Sequence, residues 1–188
     1  LKSNGKIILI NPNGVLFKDG ARVDVGSIIA STLNLKDKDF IENKYVFEKN
    51  GFSGVVNNQG EIKAIEGGTI AIIAPHVENK GEIETKNGTV ALISGEKVKL
   101  SINGNSLIQY SIERGVLNSL IDNKQALKVD NGTIILSAKG VKEVKNAVIK
   151  NSGSLRADGI TKKGGKIYLS ASNGKVLNSG VIAANSQQ

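Results

Sequence analysis

Asn58-Gln59-Gly60-Glu61-Ile62-Lys63-Ala64-Ile65-Glu66-Gly67-Gly68-Thr69-Ile70-Ala71-Ile72 is echoed by Asn79-Lys80-Gly81-Glu82-Ile83-Glu84-Thr85-Lys86-Asn87-Gly88-Thr89-Val90-Ala91-Leu92. Two units run in phase through both stretches. The first, Asn-x-Gly-x-(Ile/Leu)-x-(Ala/Thr), starts at Asn58 and Asn79 and returns at Asn151 and Asn178. The second, Gly-(Thr/Lys)-(Ile/Val)-x-(Ile/Leu), starts at Gly68, Gly88, Gly132 and Gly165. The first two copies of each lie 21 and 20 residues apart. A period near 20 is the mark of a solenoid, in which each turn of chain buries its apolar side only by stacking on its neighbours. Short β-branched runs such as Thr69 to Ile72, separated by Gly and Asn that tolerate left-handed backbone, predict strands and tight corners. The expected fold is all-β: a right-handed parallel β-helix, with inward Ile, Val, Leu and Ala in columns and the equivalent asparagines Asn58, Asn79, Asn151 and Asn178 stacked as a structural ladder at the corners. Leucine-rich repeats share the period but need a leucine and asparagine frame that is absent here, and a β-sandwich would not explain the common phase of both units.

Two stretches break the period. Residues 40 to 52 hold Phe40, Tyr45, Phe47 and Phe52 with an Asn50-Gly51 turn signal, which predicts a short strand pair outside the coils. Residues 98 to 131 open a gap of 44 positions between Gly88 and Gly132 and predict a second antiparallel hairpin around Gly104. Inside that gap Val116, Leu117, Leu120 and Ile121 have helical spacing, which predicts one or two helical turns. The charged run Lys36 to Asp39 predicts an exposed loop.

The chain of 188 residues has 25 Lys plus Arg against 17 Asp plus Glu, a net charge of +8, one His and no Cys. One domain, spanning 1–188, is expected at this length. Without cysteine there are no disulfides, thiol nucleophiles or Cys-ligated metals, and a single His removes His-rich metal sites, so no metal and no cofactor are expected. The lysines are scattered and only seven aromatics are present, which argues against nucleic acid as a partner. No apolar run is long enough to cross a membrane, so membrane insertion is not expected either.

The remaining chemistry is thin. Gly159 to Lys166 is Gly- and Lys-rich, but Gly165 stands where a phosphate-binding loop needs Lys. His76 follows Pro75 at a strand end with Glu78 as its nearest carboxylate, and is expected to be a corner residue rather than a catalyst. A carbohydrate-active enzyme on this fold would need an acidic column on adjacent coils. The equivalent positions Lys63, Glu84, Arg156 and Ala183 supply none, so no enzyme is expected. The two Asn-x-Thr sequons, at Asn87 and Asn131, coincide with repeat turns.

The most specific text lies in the first forty residues: Ser3-Asn4-Gly5-Lys6-Ile7-Ile8-Leu9-Ile10-Asn11-Pro12-Asn13-Gly14-Val15, then Val23-Asp24-Val25-Gly26-Ser27-Ile28-Ile29-Ala30-Ser31-Thr32-Leu33. The apolar strand before Asn-Pro-Asn-Gly and the Gly-x-Ile-x-Ala-Ser-Thr-Leu segment after it resemble the secretion domain of two-partner secretion (TPS) exoproteins, the filamentous haemagglutinin family, especially its high-molecular-weight adhesin branch. The resemblance runs through the repeats to Gln187-Gln188. It implies a β-helix with extra-helical strands, near the amino terminus of a longer protein that is secreted or held at the surface of a Gram-negative bacterium after crossing the periplasm. It implies a partner, a TpsB-type outer-membrane β-barrel transporter with periplasmic POTRA domains, and for the full-length protein a host-cell surface. It also implies that this chain is a monomeric fragment lacking the signal peptide and the N-terminal cap segment, with extra-helical elements near 40–53 and 98–131. The residues themselves make Asn11-Pro12-Asn13-Gly14 a turn, with Pro12 fixing φ and the asparagines bonding nearby backbone. The resemblance makes the same four residues a transporter recognition signal; solenoid energetics, in which the first coils offer an edge on which later ones stack, make the domain the expected folding nucleus. The alternative function is a direct adhesive or glycan-binding module, with Phe40 to Phe52 and Lys162 to Lys166 as its candidate surfaces.

Overall fold

The computed structural model describes residues 1–159 and 164–186. Lys162 and Lys163 of the candidate basic surface, and the closing Gln187-Gln188, lie outside the described residues.

Each coil contributes one strand to each of three faces. The first coil is β1 (Lys6–Ile10), β2 (Val15–Phe17) and β3 (Arg22–Val25). The second opens with β4 (Ser27–Ser31), then leaves the helix through β5 (Asn34–Leu35), α1 (Asp37–Ile41) and β6 (Tyr45–Glu48), and returns as β7 (Val55–Asn58) and β8 (Glu61–Ala64). The third is uninterrupted: β9 (Thr69–Ile73), β10 (His76–Asn79) and β11 (Glu82–Lys86). The fourth starts with β12 (Thr89–Ser94), leaves through β13 (Lys97–Asn103) and β14 (Ser106–Arg114), and returns as β15 (Leu120–Asn123) and β16 (Ala126–Asp130). The fifth is β17 (Thr133–Lys139), β18 (Ala147–Asn151) and β19 (Ser154–Arg156), and the sixth is β20 (Lys166–Ser172), β21 (Gly174–Asn178) and β22 (Val181–Ala183). Strands of like position pair in parallel to give three 6-stranded sheets, the architecture of a parallel β-helix.

Corners follow from the stacking distance. Parallel coils sit about 4.8 Å apart, and where a corner backbone crosses the one below there is no room for a Cβ. A methyl group on Gly88 would overlap the Gly68 carbonyl, and one on Gly81 would overlap the Gly60 carbonyl. The residue before the first of these columns has left-handed backbone in successive coils: Gly67 (φ 77°), Asn87 (φ 51°) and Asn131 (φ 54°). The Gly-Gly and Asn-Gly pairs thus divide the work, the first residue supplying the conformation and the second the close approach. Both sequons belong to this geometry.

Inside the helix, in-register columns such as Val56, Val77, Ile121 and Ile149 fill the core. At the second corner Asn58, Asn79, Asn123, Asn151 and Asn178 occupy one column, and each amide nitrogen donates to the carbonyl oxygen of the next, at 2.9, 2.8, 2.8 and 2.7 Å. Asn123 joins the four asparagines identified from the repeat. It escapes the pattern because Gln125 stands where the other copies have glycine.

The extra-helical strands form an antiparallel sheet in the order β14-β13-β6-β5, laid over the outer side of the first face. That face is therefore buried on both sides. Ile29, Ala71, Ala91 and Ile93 point outward from the helix into a second core with Leu33, Tyr45, Phe47, Val98 and Leu100. Burial on both sides produces continuous apolar runs in place of alternation.

Three expectations are corrected. Residues 40–52 do not form a strand pair: β6 alternates Tyr45 and Phe47 into the second core and pairs with β5 and β13 instead, while Gly51 (φ 75°) turns the chain back to the helix. The charged run is not a loop throughout, since Asp37–Ile41 makes one helical turn, α1. The predicted helix at Val116 to Ile121 is absent. Val116 bridges to Gly140 and Leu120–Asn123 is β15, because Ile121 completes the inward column and stacking outweighs a few residues of helical spacing. The second hairpin is formed by β13 and β14, and residues from 120 onward are already back in the coils.

The ladder makes a sharp test. Asn79→Ala strips a partner from both Asn58 and Asn123 in a fully buried column, and is expected to cost on the order of 3 kcal/mol. Asn178→Ala at the exposed last rung should cost only about 1 kcal/mol. Urea unfolding midpoints of the two variants decide whether the amides are structurally equal or graded as argued.

Candidate functional site

The apolar strand β1 delivers the chain to the corner between the first and second faces. There Asn11 N–H donates to the Ser31 carbonyl (3.0 Å), extending the β1–β4 ladder by one step. The Asn11 side chain then accepts from Asn13 N–H (3.0 Å), and its carbonyl accepts from Gly14 N–H (3.0 Å). The result is an Asx turn nested in a β-turn with Pro12 at its second position, the place where a fixed φ is favoured. Gly14 leaves the turn at φ 135°, open only to glycine, and Val15 and Phe17 enter the core. Phe17 stands in register with Asn58 and closes that end of the amide ladder.

The second motif lies directly against the first. Ser31 folds its hydroxyl onto Leu33, accepting from Leu33 N–H at 2.9 Å and donating to the Leu33 carbonyl at 3.0 Å. Thr32, buried, meets the chain returning from the first excursion: its hydroxyl donates to the Gly54 carbonyl (3.1 Å) and lies 2.9 Å from the Ser53 hydroxyl. Gly54 N–H in turn donates to the Pro12 carbonyl (2.7 Å). The Asn-Pro-Asn-Gly and Ser-Thr-Leu stretches, 20 residues apart in sequence, are one corner of the molecule. Asn11 and Asn13 are exposed on it, as are Leu16 (51%) and Phe52 (70%).

The other candidates fall elsewhere. Among Asn58, Asn79, Asn151 and Asn178, the first three are buried in the ladder, where their amides are consumed by structure. Of the four aromatics between 40 and 52, Tyr45 and Phe47 are buried and only Phe40 and Phe52 face solvent. Lys6 lies over the Tyr45 ring, 5.0 Å from its centre, and bonds its hydroxyl at 3.1 Å. The column expected to run Lys63, Glu84, Arg156 and Ala183 also contains Asp24 and Lys128. Its charges alternate in sign from Asp24 to Lys128, after which Arg156 repeats the positive sign; Lys63 lies between Glu61 (2.7 Å) and Glu84 (3.5 Å), and Lys128 pairs with Glu82. This is a register-keeping ladder of solvated pairs, not an acidic pair. Among the described residues no three His, Asp or Glu side chains gather as metal ligands, and no helix is long and apolar enough to cross a membrane.

A family model of the TPS secretion domain matches residues 1–184. The chain belongs to the TPS secretion domain family. Two curated relatives, both heme/hemopexin-binding proteins of Haemophilus influenzae, one from strain ATCC 51907 / DSM 11121 / KW20 / Rd, are each 32% identical over 199 aligned residues. Those alignments take in 100% and 95% of this chain but 21% of each relative. The crystal structure of the HMW1 secretion domain from Haemophilus influenzae superposes with a TM-score of 0.79 at 29% identity, over 98% of this chain and 48% of that one. A TPS secretion domain serves the export of a large exoprotein, and its family pairs it with an outer-membrane transporter. The corner at Asn11 to Gly14 is built from hydrogen-bonded backbone and the Asn11 side-chain amide.

His76 tests how this TPS domain responds to acid. Packed in an outward column between Val55 and Leu120, its imidazole is held below the ordinary value by burial, against the pull of Glu78 and Asp122 and with the help of Lys124 and Lys150. A depressed histidine means the unfolded chain binds the extra proton first, so stability is full above about pH 6.5 and declines as the pH falls below it. Urea midpoints at pH 7.5 and pH 5 should differ less in His76→Gln than in the wild type; an unchanged difference would assign the slope to other groups.

Proposed function

We propose that this TPS domain is the transporter-recognition and folding-nucleation unit of a secreted or surface-displayed exoprotein, and that it performs no catalysis. The observation that carries the reading is the corner itself. Asn11 and Asn13 are exposed, and three hydrogen bonds, within the turn and to Ser31, fix the turn backbone and the Asn11 side chain, so the turn is presented in one geometry with little entropy cost of ordering it on binding. Leu16, two residues past Gly14, and Phe52, two residues before Gly54, are also exposed and supply apolar area. The partner is the outer-membrane β-barrel transporter, reached through its periplasmic POTRA domains.

Nucleation follows from solenoid energetics. At about 0.05 to 0.15 kcal/mol per residue, a coil of roughly 20 residues contributes about 1 to 3 kcal/mol once stacked. Each coil completed outside the cell therefore disfavours return by about fivefold to a hundredfold, without ATP. A chain free of cysteine passes through an oxidising periplasm without forming disulfides that would block threading.

The test is export of the domain within its natural precursor, in cells with and without the cognate transporter, comparing wild type with Asn11→Ala and Asn13→Ala. Release should require the transporter and fall by about tenfold or more in the variants, a loss of roughly 1.4 kcal/mol in recognition, while the purified variants keep their β-sheet circular dichroism. Release that ignores the transporter would remove this reading.

A further inference from the structure

The chain contains two prolines, and they occupy one position in the helix. Register places Asn11, Thr32, Ala74 and Ser94 in a single column, one step past the aligned residues Ile10, Ser31, Ile73 and Ile93. Pro12 and Pro75 each follow that column in a coil whose neighbour leaves the helix immediately afterward. In both cases the proline carbonyl accepts from the returning strand, from Gly54 N–H at 2.7 Å and from Leu120 N–H at 3.1 Å. In both cases a hydroxyl at the exit meets a hydroxyl at the return: Thr32 with Ser53 at 2.9 Å, and Ser94 with Ser119 at 2.7 Å. Ser94 also donates to the Pro75 carbonyl at 2.6 Å. The same clamp has been built twice, closing the coil path beneath each excursion.

The two corners differ in what they hold. At the second, the proline is followed directly by β10. At the first, Pro12 is part of the Asx turn, and the clamp presses on it: a Cβ on Gly54 would stand 2.5 Å from the Asn13 carbonyl oxygen and 2.8 Å from its carbon. Thr32 is 1% exposed and its hydroxyl bonds Gly54, so the seat of the turn is set by a buried side chain from the neighbouring coil. We propose that Thr32, Ser53 and Gly54 are positioning residues for the recognition turn, holding Asn13 in place through the Gly54 backbone. This rests on the recognition reading given above. It also makes the first excursion, residues 32–54, a part of the signal, because the turn is seated only when that segment has come back to the helix.

The second clamp is an internal control. Hydrogen exchange at the Asn13 and Gly14 amides, thermal stability, and affinity for the cognate transporter in proteoliposomes are measured on the whole domain for Thr32→Val, Ser53→Ala, Gly54→Ala, Ser94→Ala, Ser119→Ala and the conservative Thr32→Ser. Thr32→Val and Ser53→Ala should speed exchange at Asn13 and Gly14 and weaken transporter binding by about tenfold. Ser94→Ala and Ser119→Ala should lower the melting temperature comparably without either effect, and Thr32→Ser should restore wild-type behaviour. Gly54→Ala should give the largest effect; should it fail to fold, the Thr32 and Ser53 variants carry the test. Equal weakening by the Ser94 and Ser119 variants would reduce the clamp to general stability and overturn the proposal, as would unchanged exchange and binding in Thr32→Val while Asn11→Ala still binds poorly. Wild-type binding by Asn11→Ala and Asn13→Ala would instead remove the recognition reading, and the exchange data would then show only whether the clamp seats the turn.

Discussion

Everything in this molecule is subordinate to the spacing of parallel coils. A backbone that must return every turn to within about 4.8 Å of itself cannot carry a side chain where its corners cross. Gly68 over Gly26, Gly88 over Gly68, and Gly132 over Gly88 meet that demand at one corner, and Gly81 over Gly60 and Gly180 over Gly153 meet it at another. The same spacing is close to the reach of an amide-to-amide hydrogen bond. That is why an asparagine two residues before each of Gly60, Gly81 and Gly153 can bond its counterpart in the next coil while remaining buried. Polar side chains in a core are costly unless satisfied, and the repeat satisfies them by construction. Glycine columns and the amide ladder are thus two consequences of one distance.

That common cause explains what the sequence disclosed and what it concealed. The period, the strand segments and the corners were legible because the spacing imposes specific residue types at fixed intervals. Asn123 was not, because the fourth coil is interrupted by β13 and β14 and Gln125 replaces the expected glycine. The helical spacing of Val116 to Ile121 misled for the related reason that four apolar residues carry little information beside a column of neighbours. The extra-helical sheet was visible as breaks in the period, but its pairing was not: β6 finds partners in β5 and β13, from before the aromatic segment and from some fifty residues later. Pairing across an excursion leaves no local mark.

The candidate corner shows the same division. Asn11 to Gly14 announced a turn through proline, asparagine and glycine chemistry that is local. What holds the turn, the hydroxyl of Thr32, the Ser53 side chain and the bare backbone of Gly54, comes from residues 21 to 43 positions beyond Asn11, of types too common to be noticed. The Ser-Thr-Leu stretch carried family resemblance without a stated physical reason. The reason is now apparent: the threonine is the meeting point of three segments, namely the turn, the exit of the excursion and its return.

The amide ladder also has a direction. Each nitrogen donates toward the carbonyl oxygen in the following coil, from Asn58 through Asn178, while the opposite end is closed by Phe17, which stands in the column where an asparagine would be. A phenyl ring neither donates nor accepts, so the ladder cannot be extended past it, whereas a coil laid on β21 meets an exposed amide at Asn178. The inward columns favour stacking at either end to a similar degree, because apolar burial has no polarity. A direction along the helix therefore cannot come from the hydrophobic core. Among the described residues the amide ladder is an interaction whose two ends are chemically different, and it points away from the corner at Asn11 to Gly14 and toward β21.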